Sequence, residues 1–255
     1  MRNIWTVCRR ELYSYFVSPI AWVLLAIFAL LSGYFTYLIT GYFVQASLQS
    51  QMSGQPMPMN LNEQVITPLF SNIAVIGLFL IPLITMRLFA EEKRQGTIEL
   101  LATSPIHDLE IVMGKWLSAV LMYCALLLVL LIDYSFLFLY GQPDWKPVVT
   151  GFLGVLLEGG CLLALGTFIS TTTKNQIIAG AVGFSLALLL WILNWTTSFG
   201  NSPTVQVLGY LSILSHLDSF SRGVIDSKDV IYYLSLIFLG LFLTTRSLES
   251  LRWRA

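Results

Sequence analysis

The sequence predicts an all-α membrane protein with six transmembrane helices, forming one domain over residues 1–255. Three observations carry that prediction. Hydrophobic residues make up 56% of the chain and charged residues only 11%, with a mean hydropathy of +0.75, whereas soluble domains carry roughly 25% charged residues. Six runs are long and apolar enough to supply the roughly 20 helical residues that a hydrocarbon core of about 30 Å requires. The basic residues, finally, gather on one side of those runs.

Residues 1–18 come first. Ile4, Cys8 and Leu12, with Trp5, Tyr15 and Phe16, recur at three- and four-residue spacing, while Arg2, Arg9 and Arg10 can reach lipid headgroups. That pattern predicts an amphipathic interfacial helix on the cytoplasmic leaflet. The apolar run that follows is too long for a cleavable signal peptide. Pro19 turns the chain into the first span, 19–44, inside a stretch without charge from Glu11 to Glu63. The polar segment QASLQSQMSGQPMPMNLNEQ then reads as an irregular external connector, broken at Gly54, Pro56 and Pro58.

The second span is expected over 65–88, the third over 114–140 with Asp133 inside it, and the fourth over 148–171 with Glu158 inside it. A fifth covers 176–198, and the sixth, 229–246, is the shortest. With the amino terminus in the cytoplasm, an even number of spans returns the carboxyl terminus to the same side. All of the 14 basic residues except Lys146, Arg222 and Lys228 then face the cytoplasm, as the positive-inside rule requires. Trp145, Trp191, Trp195, Tyr210, Tyr232, Tyr233 and Trp253 fall near span ends and read as interface anchors.

Several function classes are excluded at this level. A net charge of zero supplies no basic field for nucleic acid. Cys8, Cys124 and Cys161 show no paired spacing, and His107 and His216 belong to no ligand motif, so neither a disulfide framework nor a metal site is expected. No paired catalytic carboxylates or Ser/His set stands on facing spans, which argues against an intramembrane enzyme.

The densest charge lies in EEKRQGTIELLATSPI, residues 91–106. Lys93 and Arg94 suit the negative end of a helix, and Gly96 suits its left-handed cap. Thr97 can start a short helix over residues 98–103, with Ile98 and Leu101 on one side and Glu99 towards the other. Ser104 and Pro105 fit a second cap and first helical position, and Asp108 and Glu110 open the next helix. A solvated loop is the simpler reading of the charge. The punctuation instead favours a rigid helix, capped at both ends and able to pass a push from a partner to both flanking spans, with Ile98, Leu101 and Ile106 as docking residues.

At these residues the chain resembles the permease subunits of ABC-2 type transporters, in which E-E-x-x-x-G-T-(I/L)-E-x-L-x-x-(S/T)-P-(I/V) follows the second span. The resemblance runs from RRELYSYFVSPIAW to SHLDSFSRGVIDSKDVIYYLSLIFLGLFLTTRSLESLRW. That end is most similar to permeases associated with gliding motility, and more distantly to those serving nitrous-oxide reductase maturation.

The resemblance implies the ABC-2, type V exporter-like permease fold, with 96–107 as a cytoplasmic coupling helix. It implies that Glu91, Glu92, Gly96, Thr97, Ile98, Glu99, Leu101, Thr103, Ser104, Pro105 and Ile106 couple to an ATPase subunit. It also implies two such subunits carrying ATP and Mg, pairing of the permease with itself or a paralogue, an accessory periplasmic protein, and export as the direction. The location implied is the bacterial inner membrane, multi-pass, with both termini cytoplasmic and lipid around the spans. Re-entrant helices at the outer leaflet are implied before the last span. Residues 202–226 fit them, being too short to cross twice yet carrying Val207, Leu208, Leu211, Ile213 and Leu214.

No G-x-x-x-x-G-K-(S/T) motif occurs. The nearest approach, MGKW around Lys115, lacks the upstream glycine and the hydroxyl residue. The chain is therefore expected to bind no nucleotide or other cofactor, and energy must come from a partner ATPase or an ion gradient. Asp133 and Glu158 would each cost roughly 2.5–3.5 kcal/mol in hydrocarbon. Asp133 lies about 27 Å along the helix from Lys115, near the outer interface. Glu158 is near the bilayer middle beside Gly159 and Gly160, which admit a close neighbour. Glu158 and Asp133 are candidates for a translocation path or for structural polar sites. An ion-coupled carrier using Glu158 is the alternative function.

Overall fold

A computed structural model describes residues 2–53, 60–98, 106–141, 143–195 and 202–252, with the side chains of 251 and 252 left aside. Regular structure among them is entirely helical: α1 (Arg2–Val17), α2 (Pro19–Ser53), α3 (Thr67–Thr85), α4 (Ala90–Gln95), α5 (Asp108–Gly141), α6 (Trp145–Thr172), α7 (Gln176–Ile192), α8 (Pro203–Tyr210), α9 (Leu217–Ser221) and α10 (Ser227–Arg252). A π turn, Asn62–Ile66, leads into α3. Six helical stretches are long and apolar enough to cross a membrane: α2, the stretch from the π turn through α4, α5, α6, α7 with the turn after it, and α10. Successive spans run in opposite directions between the face where α1 lies, the α1 face, and the far face.

Several boundaries differ from the sequence expectation. The helix of α2 continues through Ser53, so the first part of the expected connector is helical. QASLQSQMS holds no glycine or proline and is rich in residues that tolerate a helix. At 35 residues α2 is about 52 Å long and outreaches the hydrocarbon core. Gly54, Pro56 and Pro58 lie outside the described residues. α5 begins at Asp108, ahead of the expected 114, with Asp108 and Glu110 in its first turn, where carboxylates favour the positive end of the helix dipole. α7 ends at Ile192, and residues 196–198 of the expected span lie outside the described ones.

α6 is the central helix, packed against α10, α3, α7, α5 and α9. Two close approaches explain how α5 and α10 reach it. A Cβ on Gly159 would fall 2.1 Å from the Tyr123 ring of α5, and one on Gly240 of α10 would fall 2.8 Å from the Ala164 backbone of α6. Glycine is the residue that lets two membrane helices come that near. Gly160 is different: a Cβ there would meet Ile237 at an ordinary 3.5 Å, so Gly159 alone of the pair is required by its neighbour. α7 buries a stripe of small residues, Ala179, Gly183 and Ala187, while α2 buries only Ala21, Leu24, Phe28 and Ser32. These two helices form the periphery.

On the far face, the Ser202 hydroxyl caps α8 by accepting from the Val205 amide at 3.4 Å, with Pro203 in the first turn. α9 folds back against α6 and α3. Thr150 donates to the Phe220 carbonyl at 2.6 Å and Thr67 to the Ser221 carbonyl at 3.3 Å. His216 is buried and fixes the turn between them. Its Nδ1 lies 2.7 Å from Asp229 Oδ1, its Nε2 donates to the Tyr210 carbonyl at 2.8 Å, and its ring stacks on Tyr232 at 3.9 Å. The histidine is thus a structural clasp between residues 202–216 and the start of α10.

Candidate functional site

On the α1 face, Lys115 is 1% exposed although α5 is otherwise apolar at that level. A lysine is almost never buried unless paired, and this one has three partners. Nζ donates to Glu11 Oε1 of α1 at 3.0 Å, to Glu92 Oε1 of α4 at 2.9 Å and to the Leu88 carbonyl at 2.7 Å. The Phe89 ring lies 5.0 Å from Nζ. Arg10 closes the cluster from outside, meeting Glu11 at 2.9 Å and Glu92 at 3.3 Å. Two carboxylates thus share one buried ammonium and one exposed guanidinium, and every charge has an opposite neighbour.

Neighbouring contacts tie the same elements together. Arg87 sits 4.8 Å over the Tyr15 ring and donates to the Ser14 hydroxyl at 3.2 Å, while Tyr15 donates to the Ile84 carbonyl at 2.9 Å. α1 approaches α5 closely because position 114 is glycine: a Cβ there would come within 2.8 Å of Val7 and 2.9 Å of the Ile4 carbonyl. Asn3 donates to Glu110 at 2.9 Å. Part of the expected membrane face of α1 therefore faces protein, with Val7, Cys8 and Tyr15 buried.

The turn from α3 into α4 is held from α6. The Phe89 residue before α4 offers no side-chain cap. Instead the Ser170 hydroxyl accepts from the amides of Phe89 at 3.0 Å and Ala90 at 3.1 Å and donates to the Met86 carbonyl at 3.2 Å. Lys93 donates to the Thr171 carbonyl at the last turn of α6, where a cation meets the negative end of the helix. Gly96, at φ 73°, ends α4 in the left-handed region that glycine adopts without steric cost.

Of the residues expected to couple, those described lie in or near this hub. Glu92 is inside it, Glu91 pairs with Arg87 at 3.8 Å, and Thr97 donates to the Glu92 carbonyl at 3.4 Å. Ile98 and Ile106, expected to dock a partner, are half-buried, each packing in part against the chain's own core. They anchor both ends of the segment, because an apolar side chain is more favourable against the core than in water. Glu99, Leu101, Thr103, Ser104 and Pro105 lie outside the described residues, and with them most of the stretch expected to form the short helix. A cleft of about 580 Å³ separates α1 from this segment, lined among others by Glu11, Arg87, Glu92, Thr97 and Ile106.

Lys115 and Glu11 are the residues that sequence reasoning missed. The signal was present: one acid in a basic amphipathic helix, and one lysine seven residues into an apolar one. Burial pushes the Glu11 carboxyl up, but Lys115 and Arg10 more than offset it, and the group ends below its ordinary value. The folded value being the lower one, this pairing contributes fully above the unfolded glutamate range and is lost as pH falls through the folded value. Cys8, a residue of α1 that is 0% exposed, reports the release. In a chain carrying Cys124→Ser and Cys161→Ser, Cys8 is expected to react with a pyridyl disulfide, a reagent active in acid, faster below about pH 4 than at pH 6. Rates are normalised to a free thiol. Adding Glu11→Gln should remove that pH step, and an unchanged step would refute the assignment.

The two intramembrane acids are apart from the hub and from each other. Glu158 of α6 is 1% exposed inside the chain's own core, and neither carboxyl oxygen has a partner among the described residues. Asp133 of α5 is half-buried beside the Ser32 hydroxyl of α2, with Oδ2 unpartnered among the described residues. A comparison with curated proteins returns no match. The family model described as ABC-2 family transporter protein matches residues 5–230, from α1 into the start of α10, and the chain accordingly belongs to that family as a multi-pass membrane transport subunit.

Proposed function

We propose that this permease is driven by a separate ATPase subunit that docks on residues 91–107, and that the α1 face is the cytoplasmic one. ABC-2 permeases generally work with such a subunit. The observation that carries the reading is the buried Lys115 hub. Through Glu92 and Glu11 it joins the segment to α5 and α1, while Ser170 and Lys93 join it to α6. A push on the α4 end of the segment would therefore reach three helices at once, as a rigid-body movement. Two permeases would line the path, each with its own ATPase copy, and ATP-driven closure of the ATPases would rock the helices towards export. ATP and Mg would be held by the ATPase. The carboxyl-terminal resemblance supports a permease of the gliding-motility type, which would work with an accessory protein on the far face.

Gly96→Val and Leu101→Asp test the docking. The first forces a β-branched residue into the left-handed region, at a cost of about 1–2 kcal/mol, and the second puts charge on the apolar side of the helix that the sequence predicts there. Both are expected to reduce permease-stimulated ATP hydrolysis and co-purification of the ATPase while helical content is unchanged. Normal stimulation in both variants would reject this docking site. Gln95→Cys tests the orientation: an impermeant maleimide should label it in inside-out vesicles and not in right-side-out ones.

A further inference from the structure

We propose that the outer side of α1 and the adjacent surface of α5 form a binding site for one anionic phospholipid. A groove of about 640 Å³ opens there, lined mainly by Trp5, Arg9, Arg10, Leu12, Phe16 and Leu121. It is separate from the cleft on the other side of α1, sharing with it only Arg10. Its walls are apolar and its mouth is basic. Leu121 lies six residues beyond Lys115 on α5, about 9 Å deeper along the helix, so the groove runs from headgroup level into the acyl region. An acyl chain matches the walls and a phosphodiester matches the mouth. Arginine is the side chain whose planar fork suits that phosphate geometry.

The charges at the mouth identify the occupant as anionic. Arg9 is exposed and has no ion-pair partner among the described residues, whereas Arg10 is 62% exposed and already meets Glu11 and Glu92. Arg9 is therefore free to hold a headgroup. A headgroup that also draws on Arg10 competes with Glu92 for the same guanidinium. Lipid bound on one side of α1 is thereby linked to the ion pairs on the other side, and an anionic leaflet sets how tightly α4 is held. The inference rests on the membrane location and needs no statement about the ATPase.

Native mass spectrometry and tryptophan quenching of the purified full-length chain test it. The probes are phosphatidylglycerol, phosphatidylcholine and inorganic phosphate, the lipids also in brominated form. One basic group near an anionic surface is worth about 1 kcal/mol, or about fivefold. Retention of a single phosphatidylglycerol is expected, at least about fivefold above phosphatidylcholine, with quenching by the brominated anionic lipid reduced in Trp5→Phe. Arg9→Gln, at an exposed position, should abolish the preference. Leu121→Trp, which fills the groove, should abolish retention of either lipid. Equal retention of the two lipids, an unchanged preference in Arg9→Gln, unchanged retention in Leu121→Trp, or full displacement by millimolar inorganic phosphate would each overturn the proposal.

Discussion

Lys115→Met is expected to destabilise the folded permease by about 3–5 kcal/mol, the range for removing one partner of a buried ion pair. Met fills most of the lysine volume, so the loss is electrostatic. Glu11 and Glu92, 17% and 15% exposed at their side chains, would face each other with only Arg10 between them and water, and the Leu88 carbonyl would lose its donor. α1 and α4 should then detach from α5, visible as faster proteolysis near Arg9 and Lys93 and a lower thermal midpoint in detergent. The same change combined with Glu11→Gln and Glu92→Gln should recover much of the loss, because neutral replacement of a whole buried ionic cluster is far less costly than breaking it. Equal loss in the single and triple variants would mean that packing, not charge, holds this face together.

Gly159→Ala carries the second large effect. The new methyl would stand 2.1 Å from Cε1 and 2.7 Å from Cδ1 of the Tyr123 ring. That ring is 2% exposed and its hydroxyl reaches the Val155 carbonyl at 3.4 Å, so it cannot swing aside without moving α5. Overpacking of this kind costs about 1–3 kcal/mol and sometimes more. The neighbouring Gly160→Ala is the internal control, since its nearest contacts would be 3.5 and 3.8 Å away. A lower yield of folded protein for Gly159→Ala only, with recovery on adding Tyr123→Leu, is the expected pattern. Matching yields for the two alanine variants would contradict the packing described for α6.

Glu158 stands one residue away in a related position. It lies in the α6 core with no partner for its carboxyl among the described residues, between helices that Gly159 and Gly240 allow to pack tightly. The sequence marks it as costly and mid-membrane. It does not indicate that the side chain points into the interior of one subunit, because a helix of apolar residues all round looks alike from every side. Ile98 and Ile106 show the same limit. Their spacing identifies an apolar side of the segment, yet only the surrounding helices reveal that both side chains also pack in part against the chain's own core.

Composition and the placement of basic residues are sufficient to specify an all-helical, six-span architecture, because the bilayer fixes span length and leaves no unpaired backbone inside it. Local rules also suffice for the Gly96 cap, whose left-handed backbone follows from the residue itself. Residue contacts across the bundle are another matter. That Lys115 meets Glu11 and Glu92, over separations of 104 and 23 residues, and that Ser170 caps a helix 80 residues earlier, depend on which faces of α1, α4, α5 and α6 come together. Those faces are chosen by packing at glycines such as Gly114 and Gly159, and packing is a property of the assembled helices, not of any one of them.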